Sequence, residues 1–446
     1  MSKIATFLKK IPMVLALVAW CIPGCSAKFT PSDFANRNAP FQFGAEIYLG
    51  AQEAHPSTPF LRYAPDGRLF AVWTENDDKP WPHGKSSAEK HAMTGRRAPS
   101  PMRNVLIASS SDAGKTWSAP QRVNSETEAV QGEENGPKVA FDARGRAHVV
   151  WSIPSGKGDK TRANIRFAHE NGNGGFTAAR TLNEVKDAAR FPIIESMPDG
   201  KMLIAWIDRR LDKPKPRQLY MMRIGAGGEA QTKNYQVGEG LCECCKLGIA
   251  FADNGKTVYL VDREVDAKKF RNHALRKSTD GGASFAPPME ISNDGWQVPS
   301  CPHSGPSIGR DSRGWLHVSW FTLGRSEKEA GIYYSVSKDG GTSFAPRRLV
   351  HTNTAPEILY NSLVVGDDDR VYLAWNNLDS NNRAQIYLRA IAADGSTWSP
   401  IQQVSNAKGN ASRPSLAVRD NQLNIAWTET DGENFRVVVR SAVVSQ

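Results

Sequence analysis

Apolar and polar residues alternate along most of this chain in short runs, and the runs are broken by Asp, Asn, Gly and Pro. That period belongs to β-strands with one face covered. No long stretch combines a helical period with good helix formers. One unit recurs. A small or polar residue, often followed by Pro, opens a short strand; a turn follows; a second, more apolar strand ends in an aromatic residue, usually Trp. The unit reads PFLRYAPDGRLFAVW at 59–73, PKVAFDARGRAHVVW at 137–151 and PIIESMPDGKMLIAW at 192–206. It returns at 246–261, where Trp is missing, then as PSIGRDSRGWLHVSW at 306–320, NSLVVGDDDRVYLAW at 361–375 and PSLAVRDNQLNIAW at 414–427. Successive copies lie about 55 residues apart, except across an insertion after the first. A strand-built period of this length means stacked or radial repeats rather than separate domains.

A second pattern follows several copies. Residues 110–117 read SSDAGKTW, 278–285 STDGGASF and 337–344 SKDGGTSF, with a shortened ADGSTW at 393–398. The physics is that of a hairpin: Asp and Ser side chains accept backbone N–H bonds, Gly supplies positive φ, and the aromatic tucks beneath. These octets resemble the Asp-box, or BNR repeat, of the sialidase-like β-propellers. The resemblance implies an all-β fold, a single β-propeller of four-stranded blades, and it implies that Asp112, Asp280, Asp339 and Asp394 are structural. Seven units are counted, with six blades as the alternative. The last unit lacks a fourth strand, and residues 41–49 (FQFGAEIYL) are expected to supply it and close the ring.

The N-terminus changes the picture of where the protein works. Lys3, Lys9 and Lys10 precede an apolar run of 14 residues, 11–24, the form of a signal segment. Ile22-Pro23-Gly24-Cys25 resembles a bacterial lipobox, with Cys25 the lipidated residue; cleavage after residues 25–27 is the competing reading. The expected organisation is a signal peptide over 1–25, a linker over 26–40 and a propeller over 41–446 carrying an insertion at 77–103. The expected location is extracytoplasmic: the periplasmic face of a bacterial membrane, through the anchor, or secreted. The formal charge of +10 becomes +7 once the three lysines of residues 1–24 are removed. Much of the excess lies in the insertion, which reads as a solvated loop or as a landing site for an anionic glycan or membrane surface. Nothing indicates a nucleic-acid partner, and a monomer is expected.

Three of the six cysteines fall within residues 240–248, GLCECCKLG. Aligning Gly255 with Gly314 sets Cys242 against Cys301 and Cys244 against His303. In a propeller the four internal cysteines and His303 then gather where blades 4 and 5 begin. If the segment is extended, Cys242 and Cys244 share a face and Cys245 points away. Three readings stand: disulfides bracing the two blades in an oxidising compartment; a thiolate-rich site for copper or zinc made by Cys242, Cys244 or Cys245, Cys301 and His303; or ordinary free thiols.

Other residues opening the blades are polar: His55, Glu133, Glu134, Asn135, Arg190, Glu357, Tyr360, Asn361 and Arg413. Around one funnel they suit a glycan or another small anionic ligand. Resemblance to sialidases implies arginines clamping a carboxylate, a tyrosine nucleophile activated by a glutamate, and an aspartic acid as proton donor. Arg190-Phe191-Pro192 has the family's Arg-x-Pro form, but on blade 3; blade 1 carries Ser57-Thr58-Pro59 instead. Tyr360-Asn361-Ser362-Leu363 is similar to the segment around the family's tyrosine. Tyr360, Arg190, Arg413 and Glu134 are therefore the catalytic candidates. The expected function is ligand binding at the funnel, with exo-sialidase-type hydrolysis as the alternative.

Overall fold

The computed structural model describes residues 41–76, 103–125, 128–155, 162–211, 217–243, 245–297, 303–353, 359–432 and 434–444. They form seven antiparallel sheets arranged as a seven-bladed β-propeller, so the six-bladed alternative is excluded. The first strands of blades 1 to 7 are Ser57–Tyr63, Lys138–Phe141, Ala189–Ser196, Gly248–Ala252, Ser307–Arg310, Asn361–Val365 and Asn410–Arg419. They stand side by side in a closed ring around the axis. Serine side chains stitch neighbours together: Ser415 Oγ accepts from Leu61 N at 2.9 Å, Ser362 Oγ from Leu416 N at 3.1 Å, and Ser196 Oγ from Phe141 N at 3.0 Å.

Hydrophobic residues gather in seven clusters, one between each pair of adjacent blades. Second strands therefore have both faces covered, which is why they read as nearly continuous apolar runs; Leu69–Asn76 and Met202–Asp208 are buried from end to end. The strand-ending Trp73, Trp151, Trp206, Trp320, Trp375 and Trp427 are the largest fully buried side chains. Each fills the space toward the preceding blade, and several lie flat on the facing tyrosine of the third strand: Trp206 on Tyr220, Trp320 on Tyr333, Trp375 on Tyr387.

Closure of the ring follows the expectation, with one difference in form. Residues 41–49 give two short strands, Gln42–Phe43 and Ile47–Leu49, and both pair antiparallel with the C-terminal strand Asn434–Val443. Phe41 and Leu49 are buried in the flanking clusters. The edge an open last blade would expose is thereby covered.

Blade 4 breaks the repeat, one residue away from where the turn alignment places the break. Trp320 pairs with Tyr333, and the corresponding pair in blade 4 is Asp262 with Ala274. The turn before the second strand of blade 4 includes the short 3-10 segment Asp253–Gly255, and the second strand that follows is shifted by one residue. Asp262, not Val261, thus holds the tryptophan position. The missing bulk is replaced by charge: Arg276 donates to Asp262 Oδ2 at 2.7 Å, to Glu264 Oε1 at 2.5 Å and to the carbonyl of Glu239 at 3.0 Å.

Candidate functional site

Strand register decides which residues share a face of the disc. In blade 1, Ser57 pairs with Thr74 at one end and Tyr63 with Leu69 at the other, while Leu69 also faces Ser110. The start of each first strand and the connection between second and third strands therefore open on one face, the mouth. The third-to-fourth turns open on the opposite face. Asn76 and Arg103, the flanks of the insertion, are paired at the mouth end.

The Asp, Ser and Gly octets lie on the far face and behave as hairpin turns. Asp112 Oδ1 accepts from Thr116 N at 2.8 Å and from Ser110 Oγ at 2.7 Å, and Gly114 takes φ +89°. Asp280 and Asp339 repeat the pattern with Ser284 and Ser343; Asp394 accepts from Ser396 N at 2.9 Å. These bonds to the ionised form hold the Asp112 carboxyl down at about 2, and those of Asp280 and Asp339 well below the usual carboxylate range.

At the mouth the backbone itself is unusual. Thr58, Phe191 and Arg413 occupy equivalent places before Pro59, Pro192 and Pro414, and all three have left-handed φ, +57°, +54° and +57°. Each sits at a bulge where the first strand loses register with the second. Left-handed backbone before proline is sterically unfavourable for a residue with a side chain. His55 and His303, also on this rim, take φ +47° and +49°. Strain repeated at one rim is the kind of feature a binding site accumulates.

These bulges aim the candidate side chains. The Arg413 guanidinium lies over the Tyr360 ring, 4.8 Å from its centre, and Nη2 is 3.4 Å from the tyrosine hydroxyl. Tyr360 is held in turn by its N–H, which donates to Asn376 Oδ1 at 2.7 Å. Arg190 is buried, stacked 4.8 Å over its neighbour Phe191. Phe191 N donates to Asn135 Oδ1 at 2.7 Å, and the Phe191 ring lies 6.2 Å from that of His303. His55 packs edge-on against Phe435. Glu357 lies outside the described residues.

Glu134 sits deeper than a rim residue. It leaves blade 2 and crosses the axis to accept from Lys246 N of blade 4 at 3.0 Å and from Gly305 N of blade 5 at 3.2 Å. Burial pushes its carboxyl up, opposed by the two nearby lysines and these amides. Lys246 extends the chain of contacts: its Nζ donates to Ser307 Oγ at 3.1 Å and to the carbonyl of Asn361, beside Tyr360, at 2.5 Å. Lys138 completes the group, its Nζ bound to the carbonyls of Gly136 at 3.0 Å and Pro137 at 3.4 Å and facing the Phe60 ring. Burial, reinforced by Lys246, lowers Lys138 to about 8. Glu134, Lys246, Tyr360 and Arg413 thus form one connected series across blades 2, 4, 6 and 7. Neither lysine was among the residues singled out from sequence. Their signal was present in hindsight, as charged side chains beside the first strands of blades 2 and 4, but only ring closure shows that the two approach each other.

The cysteine segment turns rather than extends. Cys242 and Cys245 therefore share one buried cluster with Phe191 and Leu247, their Sγ atoms 3.6 Å apart, instead of pointing in opposite directions. That separation is well beyond the ~2.05 Å of a disulfide, so the two are not bonded to each other. Arg271 Nη1 lies 2.9 Å from Cys242 Sγ. Cys244, Cys301 and the lipidation candidate Cys25 lie outside the described residues, as do the signal and linker segments and residues 77–102 of the insertion. Among the described residues, no three His, Cys, Asp or Glu side chains come together to hold a metal, and no helix is long and apolar enough to cross a membrane.

No family model matches the sequence, and no curated protein matches it. Solved structures share the fold. A protein of unknown function from Dyadobacter fermentans is 13% identical, with a TM-score of 0.54 over 91% of this chain and 100% of that one. An ulvan lyase, a polysaccharide lyase solved bound to -[GlcA(1-4)Rha3S]-, is 11% identical, with a TM-score of 0.56 over 90% and 96%. The NanB sialidase of Streptococcus pneumoniae is 12% identical, with a TM-score of 0.50 over 91% and 71%. At these identities the likeness establishes a shared fold, the β-propeller on which sialidases and a polysaccharide lyase are built.

Proposed function

We propose that this protein binds an acidic carbohydrate at the mouth of the propeller. One observation carries the reading: Arg413 is stacked on Tyr360, with a guanidinium nitrogen 3.4 Å from the hydroxyl, on strained backbone at the rim of a channel that also holds lysines. A guanidinium fixed on an aromatic face loses little freedom when it grips a carboxylate or sulfate, and the ring beside it offers a surface for a sugar. Arg190, stacked on Phe191, is a second such donor, deeper in the funnel. Binding is favoured over hydrolysis because Glu134, the glutamate among the catalytic candidates, accepts across the ring from the amides of Lys246 and Gly305. It then works as a staple between blades rather than as a base. The test is calorimetric titration with acidic oligosaccharides and their neutral counterparts, run beside an assay of sialoside cleavage. Selective binding without turnover is expected, and Arg413→Ala should weaken it by at least tenfold, about 1.4 kcal/mol. Equal binding of neutral sugars, or undiminished binding by Arg413→Ala, would refute the proposal.

A second reading rests on Cys242. Cys242 Sγ lies 2.9 Å from Arg271 Nη1 and 3.6 Å from Cys245 Sγ, and two sulfurs so placed suit copper or zinc. Native and denatured masses of exported protein test it: stoichiometric metal supports it, and complete oxidation of the cysteines without metal removes it.

A further inference from the structure

The channel below the mouth contains a charge imbalance. Its upper level holds two ammonium groups, Lys138 and Lys246, and one carboxylate, Glu134, in mutual electrostatic contact. Its lower level is closed by Arg62 of blade 1, which reaches Glu195 of blade 3 at 2.6 Å and the carbonyl of Ile194 at 3.4 Å. That pair is neutral overall, so these five groups together carry one positive charge more than negative.

Hydrogen-bond accounting gives the same result. Each ammonium has three N–H donors. Lys138 uses two on the carbonyls of Gly136 and Pro137, and Lys246 uses two on Ser307 Oγ and the Asn361 carbonyl. Glu134 does not take up the remainder: it accepts from the backbone amides of Lys246 and Gly305, and among the described residues no ion pair joins its carboxylate to either ammonium. Each lysine therefore keeps one donor beyond these bonds, that of Lys138 beside the Phe60 ring. Two half-buried ammonium donors and a surplus positive charge make a site for one anionic group.

We infer that Lys138 and Lys246 form an anion subsite within the channel, which takes the carboxylate of a uronic or other sugar acid presented at the mouth. The inference rests on the mouth being the carbohydrate site. Inorganic phosphate shares the required chemistry and serves as a second probe. The groups facing Lys138 are Lys246, Glu134 and, across Phe60, the Arg62–Glu195 pair. An anion beside Lys138 favours its charged form, so binding near pH 8 draws in a proton, and affinity falls as pH rises further.

The full mature chain is titrated with D-glucuronate, inorganic phosphate and D-glucose, in two buffers of different ionisation enthalpy at pH 8. Expected are glucuronate binding, no glucose binding, proton uptake on binding, and at least a tenfold loss of affinity in Lys138→Gln. If phosphate binds as well, the site reads the anionic group alone; if only glucuronate binds, the sugar is read too. Both outcomes support it. The absence of anion binding, equal binding of glucose, or glucuronate binding without proton uptake in the wild type would overturn it, whatever the folding of the variant. If acidic oligosaccharides bind through Arg413 while Lys138→Gln leaves affinity and pH profile unchanged, this inference fails and the mouth reading survives. If glucuronate binds as expected while oligosaccharides do not, the converse holds.

Discussion

Buried histidines set the acid limit of this fold. His273 sits fully buried near Asp294 and the Trp320 ring, and burial, with repulsion from Arg263, holds it at about 4 instead of 6.5. His148 is held at about 4 by burial and by stacked His169. As pH falls from 6.5 toward 4, the unfolded chain takes up protons that the folded chain refuses, so stability is lost over that window, by up to about 3 kcal/mol for each histidine. Glu264 works in the opposite sense. Burial and Asp262 raise it from 4.5 to about 7, so the folded chain holds a proton that the unfolded chain releases, a contribution that is lost as pH rises through 7. Water reaches that carboxylate, and its share is about 1 kcal/mol. The histidines win. Urea midpoints should fall between pH 6.5 and 4.5, and His273→Asn should show a shallower fall. An unchanged slope in the variant would show that His273 does not carry the effect.

At the scale of the element, blade 4 shows how a repeat tolerates a break. Six blades fill one position with a buried tryptophan; blade 4 fills it with Asp262, tied to Arg276 and through it to Glu264. Removing one member of a buried ion pair strands the other, whereas removing both leaves an apolar interface. Asp262→Leu alone should cost about 3 kcal/mol in urea unfolding, and Asp262→Leu with Arg276→Leu should recover to within about 1 kcal/mol of the parent. If the two losses simply add, the ion network is not what replaces the tryptophan. Blade 4 also carries Cys242 in electrostatic contact with Asp262, so the break in the repeat and the cysteine segment are neighbours in space.

For the whole molecule, stability depends on the ring being shut. The first-strand ring has no free member, and the last blade borrows its outer strands from residues 42–49. A chain starting at residue 50 loses Phe41 and Leu49 from two inter-blade clusters and exposes the edge of Asn434–Val443. Burial of each such side chain contributes about 1.5–3 kcal/mol. The truncated chain should melt about 5 °C or more below one starting at residue 41, and should self-associate on gel filtration. Equal melting and a monomeric profile would show that closure contributes little.

Much of this architecture could be read from the chain. Period-two alternation, tryptophans at a spacing of about 55 residues and Asp-Gly turns specify strands, hairpins and a repeat, because each is a local demand of the backbone or a face that must be buried. The repeat number, and the need for residues 41–49 to complete the last blade, followed from counting. The same reading placed Arg190, Tyr360, Arg413, Glu134 and Cys242 where blades begin. The condition under which Cys245 would point away, an extended segment, is not met because the chain turns there, and the one-residue shift that puts Asp262 in the tryptophan's place was missed. Nor was there any sign of Lys138 meeting Lys246. Those two lie 108 residues apart in sequence on non-adjacent blades. Their encounter, their single shared counter-charge and their unspent donors exist only once the seven first strands are brought around one axis. Local pattern determines which elements form; side-chain meetings across a closed ring are set by the tertiary fold.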